Sequence, residues 1–171
     1  MAGTTPVEIE RKFLVDRERF LAQQPQLKGK QITQGYWKRE QLAHFFGLML
    51  IDLRENGSSL TAEGLAVLEE GGPERFEMRI RQKGRQFWVT FKSRDQLPTG
   101  GVIEYETRIS EPVGSHYLQR TDVSLSKQRY ELPLDGGLVL EVDLFDGLKG
   151  LALAEVEIPS LDTCLLYTSD A

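Results

Sequence analysis

Apolar and polar residues alternate along this chain in short runs far more often than they recur at helical spacing. The run VEIERKFLV, residues 7–15, sets the pattern. Read as a strand, it places Glu8, Glu10, Lys12 and Leu14 on one face and Val7, Ile9, Arg11, Phe13 and Val15 on the other. QITQGYWK, residues 31–38, predicts a second strand, and RFEMRIRQKGRQFWVTFKS, residues 75–93, a hairpin turning at Lys83-Gly84-Arg85. VIEYETRIS, VSLSKQRYEL, GGLVLEVDLF and LALAEVEIP complete eight strands, with glycines at 136, 137, 147 and 150 as punctuation. Short helices are expected at residues 16–24, with Asp16 near the cap, and over TAEGLAVLEEGG, with Thr61 as cap and Gly71 as stop. PVGSHYLQRT holds a helical turn, whereas HFFGLMLIDL fits a strand extension or a buried helix equally well. Eight strands joined by short turns point to an antiparallel sheet or barrel rather than a parallel α/β fold.

Composition narrows this picture. The chain has 171 residues, one domain's worth, and its net charge of −5 argues against a nucleic-acid partner. No apolar run is long enough to span a bilayer and no signal-peptide pattern opens the chain, so a cytoplasmic protein without a membrane partner is expected. One cysteine excludes an intramolecular disulfide and a cysteine-based zinc site. That cysteine opens CLLYTSDA, and the codons TGT CTC TTA TAC ACA TCT would encode Cys164 to Ser169. The string resembles a transposon-type sequencing adapter, so a single domain over 1–163 and a non-native tail over 164–171 are expected.

The charges decide the candidate chemistry. Glu8 and Glu10 are echoed by Glu104 and Glu106, by Glu141 and Asp143, and by Glu155 and Glu157, each pair on one face of its strand. Arg79 with Arg81, and Lys127 with Arg129, repeat the spacing in cations, and Lys92 shares a face with Thr90. A solvated sheet face also alternates, but it usually mixes Ser, Thr, Gln and Lys; here whole strands are acidic or basic. If these faces turn inward, the lumen must stay wet or hold compensating ligands, because an unpartnered buried ion costs several kcal/mol. Clustered carboxylates suit hard divalent cations, and arginine forks suit phosphate oxygens. A metal–polyphosphate complex satisfies both. His44 and His116 receive no role.

EIERKFLV resembles the E-x-E-x-K signature of the CYTH domain, the triphosphate tunnel metalloenzymes. QGYW, MRIRQKG, TFKS, IEYE, KQRY, EVDLF and AEVEIP follow in the order of that family, extending the resemblance over residues 7–159. It implies a mainly β, α+β fold: an eight-stranded antiparallel β-tunnel, closed as a barrel, with a few short helices packed outside. It implies Glu8, Glu10, Asp143, Glu155 and Glu157 as ligands of Mg²⁺ or Mn²⁺, with Glu141 a weaker candidate. Lys12, Arg79, Arg81, Lys92, Lys127 and Arg129 would grip the triphosphate, and Glu104 and Glu106 would organise these cations. Tyr36 would pair with Lys92 beside the chemistry, and Lys127 or a carboxylate would accept the proton of the attacking water. The implied activity is metal-dependent hydrolysis of a small-molecule triphosphate, inorganic triphosphate first. A class IV adenylyl cyclase, a thiamine triphosphatase and a non-catalytic polyphosphate-binding module are the alternatives, and a homodimer is compatible with the family. Residues 39–74 exceed the equivalent connection in compact bacterial members and are expected as a surface excursion or lid. The family's helix and basic segment beyond AEVEI have no counterpart here, which is expected of a truncated gene fragment.

Overall fold

In the computed structural model, residues 5–148 and 150–163 are described; the tail read as adapter-derived lies outside them. The first predicted strand is present in two halves, β1 (Val7–Glu8) and β2 (Glu10–Leu14), parted at Ile9. After α1 (Arg17–Gln23) come β3 (Lys30–Tyr36), α2 (Arg39–Asn56) and α3 (Ala62–Arg75). The hairpin β4 (Phe76–Lys83) and β5 (Gln86–Ser93) leads to β6 (Val102–Ile109) and α4 (Glu111–Leu118). β7 (Val123–Pro133), β8 (Val139–Phe145) and β9 (Ala152–Glu157) finish the described chain.

The sheet order is β1-β6-β5-β4-β3-β7-β8-β9-β2, with every neighbouring pair antiparallel. β1 and β2 are consecutive in the chain yet stand at opposite ends of this order. The first strand therefore closes the sheet into a barrel. Its first half lies on β6, Val7 opposite Ile103, and its second half on β9, Glu10 opposite Glu157. The change of partner falls at Ile9, whose carbonyl accepts from the Ile158 N–H at 2.8 Å. The nine segments are thus the eight expected strands, one of them shared between two neighbours. Closure leaves no long exposed edge.

The core lies outside the barrel. Outward-facing Met78, Ile80, Val89, Phe91, Ile103 and Tyr105 meet the helices that cover one flank. In α2 the buried residues Leu42, Phe46, Met49, Leu50 and Leu53 recur at three- and four-residue spacing, which settles HFFGLMLIDL as a helix. Thr61 caps α3 by accepting from the Gly64 N–H at 3.0 Å; the kink falls at Gly72, with φ 56°, one residue beyond the expected stop and just before Pro73. Residues 39–75 form two helices on the outer wall, with Leu68 of α3 fully buried in the same cluster. α1, capped by Asp16, sets Phe20 against Val142, Leu144, Ala152 and Ala154 on the opposite flank. No helix among the described residues is long and apolar enough to cross a membrane.

Phe46 is 2% exposed and meets Phe91 edge-on at 5.2 Å between centroids. Phe46→Ala is expected to cost about 3–5 kcal/mol in urea unfolding. Leu48→Ala, at a position 39% exposed on the same helix, should stay within about 0.5 kcal/mol. Similar losses at the two positions would show that α2 does not dock through this face.

Candidate active site

Strand alternation turns the charged positions inward, and the barrel encloses a cavity of about 910 Å³. All fifteen candidate site residues line it, joined by Gln34 and Lys83. The lining carries eight carboxylates and seven cations, sorted around the bore. β4 and β7, which flank β3, supply Arg79, Arg81, Lys83, Lys127 and Arg129. The carboxylates stand on β8, β9, the first strand and β6, which are contiguous around the rest of the barrel. Two lysines, Lys12 on β2 and Lys92 on β5, interrupt or adjoin the acidic arc.

Four of the cations are tied down. Arg129 and Asp143 are direct cross-strand partners. The guanidinium binds both Asp143 oxygens, Nε to Oδ1 and Nη2 to Oδ2, at 2.7 Å each. Lys127 reaches Oδ2 at 2.5 Å, and Arg129 Nη1 reaches Glu141 at 2.5 Å. Burial opposes the charge on Arg129, yet the paired Asp143 overrides it and holds its pKa above the ordinary value. Lys127 goes the other way: burial and the neighbouring Arg129 outweigh Asp143 and push it down to about 8. Lys12 bridges Glu10 at 2.9 Å and Glu155 at 3.1 Å. Lys92 lies 3.4 Å from each of Glu8, Glu10 and Glu104. Both lysines keep raised pKa values because these acids outweigh burial.

The cations of β4 are different. Among the described residues Arg79 has no ion pair, and Arg81 has only Glu106 at 4.0 Å. Arg79 Nε and Arg81 Nε are both buried without a hydrogen-bond partner. Burial, then repulsion from Arg79 and Arg129, lowers the pKa of Arg81. Glu106 is held by the Thr90 hydroxyl, which donates to it at 2.8 Å. Tyr36 does not pair with Lys92: its hydroxyl accepts from Gln34 Nε2 at 2.8 Å, while Lys92 sits among carboxylates. Gln34 lies directly across from Arg81, is 4% exposed, and leaves Oε1 without a donor. Sequence reasoning passed over Lys83 and Gln34. Both were signalled by spacing, Lys83 two residues beyond Arg81 and Gln34 two before Tyr36.

The acidic arc is crowded. Glu10 stands directly opposite Glu157, and Glu141 opposite Glu155. Like charges facing across strands are destabilising unless a cation joins them. Glu8 is pushed up to about 8 by burial and by Glu104, with which its carboxyl shares a hydrogen bond. Among the described residues no three of these side chains converge closely enough to hold a metal ion as they stand. The ammonium groups of Lys12 and Lys92 lie between them instead. The donors are nonetheless hard carboxylate oxygens in excess of their immediate cations on that wall, which fits a divalent ion in kind. Asp143 is engaged differently from the sequence expectation. Both its oxygens are occupied by Arg129 and Lys127 and it is 2% exposed, so its work in this arrangement is to fix two cations.

No family model matches the chain, and no curated protein matches it. Solved structures do. The chain is 28% identical to an inorganic triphosphatase, covering 91% of this chain and 78% of that one, with a TM-score of 0.46. A conserved hypothetical protein from Pyrococcus furiosus is 18% identical over 90% of this chain and 79% of its own, with a TM-score of 0.54. A Hippeastrum protein proposed as an adenylyl cyclase, and described as having a dominant triphosphatase activity, is 16% identical over 90% and 80%, with a TM-score of 0.53. The likeness to the last two carries the fold alone, the closed antiparallel barrel described above.

Asp143→Asn is expected to destabilise the protein by about 3–5 kcal/mol in urea unfolding, because it strands two buried cations. Glu131→Gln, which breaks an exposed pair with Lys30 at 3.2 Å, should cost no more than about 1 kcal/mol. A mild effect at Asp143 would show that water already screens the pair.

Proposed function

We propose that this chain is a metal-dependent triphosphatase that hydrolyses inorganic triphosphate inside the bore. One observation carries the reading. Arginines with unpartnered buried Nε atoms face a wall of crowded carboxylates across a single polar cavity. A buried cation without a partner calls for an anion, and crowded acids call for a cation. A polyphosphate bound with a divalent ion meets both needs at once.

In this reading Arg79 and Arg81 hold phosphate oxygens through their planar forks. Asp143 keeps Arg129 and Lys127 pointed at the same bore, so the phosphate meets cations that need no rearrangement. Preorganised charge of this kind lowers the barrier to in-line attack more than flexible side chains would. Glu8, Glu10, Glu155 and Glu157 would hold Mg²⁺ or Mn²⁺, which when bound neutralises phosphate oxygens and polarises the scissile bond. Lys12 and Lys92, now between those carboxylates, would turn toward substrate oxygens.

The test is orthophosphate release from inorganic triphosphate with Mg²⁺ or Mn²⁺, set against a Glu10→Gln control, with ATP run alongside and assayed for cyclic AMP. Release that exceeds the control and vanishes with EDTA is the expected outcome. Cyclic AMP as the main product would make the chain a cyclase, and tight binding without release would make it a polyphosphate-binding module. Arg81→Ala should raise KM about 10- to 150-fold, matching the roughly 1.5–3 kcal/mol of a hydrogen bond to a charged group. Glu157→Gln should raise the metal concentration needed for half-maximal rate; an unchanged metal profile removes Glu157 from the metal set.

A further inference from the structure

We infer that Lys83 is the end-stop of the phosphate track: it receives the terminal phosphate of a linear chain lying along β4 and so makes the bore select for chain length. The inference rests on the triphosphate reading of the bore.

Arg79, Arg81 and Lys83 alternate on β4, face inward, and all line the cavity. At about 3.3 Å per residue the first and last of these Cα atoms stand about 13 Å apart. The row follows a single strand along the bore, and a row of cations suits a linear polyanion. It also ends: Gly84, with φ 60°, and Arg85 turn the chain out of the bore and into β5.

The seven bore cations fall into two classes. Lys12, Lys92, Lys127 and Arg129 each have a carboxylate within 3.4 Å. On β4, Arg81 comes no nearer than 4.0 Å to one, and neither Arg79 nor Lys83 forms an ion pair among the described residues. Lys83 instead holds its ammonium 5.4 Å from the centre of the Trp88 ring. A ring face steadies a cation without cancelling its charge. Burial and the neighbouring Arg81 both work against that charge, since the pKa of Lys83 is lowered. A half-buried, unpaired ammonium at the end of a cation row is explained by an anion that arrives there. The terminal group of a phosphate chain carries more charge than an internal one, so it suits the cation at the end.

Calorimetry in EDTA, without metal or turnover, reads binding of diphosphate and triphosphate to the wild type and to Lys83→Met, Lys83→Arg and Arg85→Met. A diphosphate held by Arg79 and Arg81 stops short of Lys83. Lys83→Met should therefore weaken triphosphate about tenfold or more, and diphosphate less than about twofold, as befits the loss of one charge-assisted contact. Lys83→Arg should restore most of the triphosphate affinity. Arg85→Met, which removes an exposed charge on the turn, should change neither. An equal loss for both chain lengths, or no loss, overturns the assignment of Lys83 while leaving the triphosphate reading intact. A wild type that binds no triphosphate in EDTA, and neither binds nor hydrolyses it once Mg²⁺ is added, overturns both.

Discussion

The organising constraint is that this barrel turns its charged face inward. A closed sheet has one concave and one convex surface, and strand alternation assigns every second side chain to each. Here the concave surface received the ions, so the bore cannot serve as the hydrophobic core. The core had to form elsewhere, and it lies between the convex surface and the helices. Residues 39–75 follow from this requirement. Their two helices supply the apolar cover that Phe76, Met78, Ile80 and Phe91 need on the outside of β4 and β5.

Enclosing fifteen ionic groups is tolerable only because register sets opposite charges beside one another. Lys12 lies directly across from Glu155, Lys92 across from Glu104, and Arg129 across from Asp143. Each of these pairs is made by the same ladder that builds the barrel, so fold and electrostatics are one arrangement. The first strand shows this most directly. Because it passes from β6 to β9 at Ile9, it places Glu8 beside Glu104 and Glu10 beside Glu157. Shifting its register by one residue would send Glu8, Glu10 and Lys12 outside and bring Arg11 and Phe13 in.

Much of this was legible in the chain because strand alternation has a fixed period. The i, i+2 charge pairs located the inner faces of β2, β4, β7, β8 and β9, and Gly84 located the hairpin. The order of short motifs led to the tunnel. Two kinds of information were not legible. Local pattern could not decide HFFGLMLIDL, since its apolar run fits either period until the convex face that it covers is known. Nor could it show which charges neutralise each other. The resemblance implies a metal role for Asp143; that Arg129, 14 residues away in sequence and directly across the ladder, binds both of its oxygens could not be read from the motif. The resemblance likewise pairs Tyr36 with Lys92, but the first strand brings Glu8 and Glu10 to Lys92 across more than 80 residues of sequence. Register between distant strands decides such pairings, and sequence spacing within one strand does not contain it.

The same distinction separates cations partnered within the barrel from cations left without a close acid. Where cation and carboxylate are in register, as at Arg129 and Asp143, the partner fixes the charge in place, and removing either one exposes a buried ion. Where the opposite strand offers a neutral group, as Gln34 does to Arg81 and Tyr36 to Arg79, the positive field stays open to the bore. β3 thus sets no acid opposite these cations, and β5 likewise sets Thr90 opposite Arg79 and Trp88 opposite Arg81. Had the inward residues of β3 been acidic, the barrel would gain ion pairs and that positive field would be cancelled. Neutral side chains between two basic strands preserve the field at the expense of self-compensation within the barrel; the polyanion proposed for the bore would supply the missing partner.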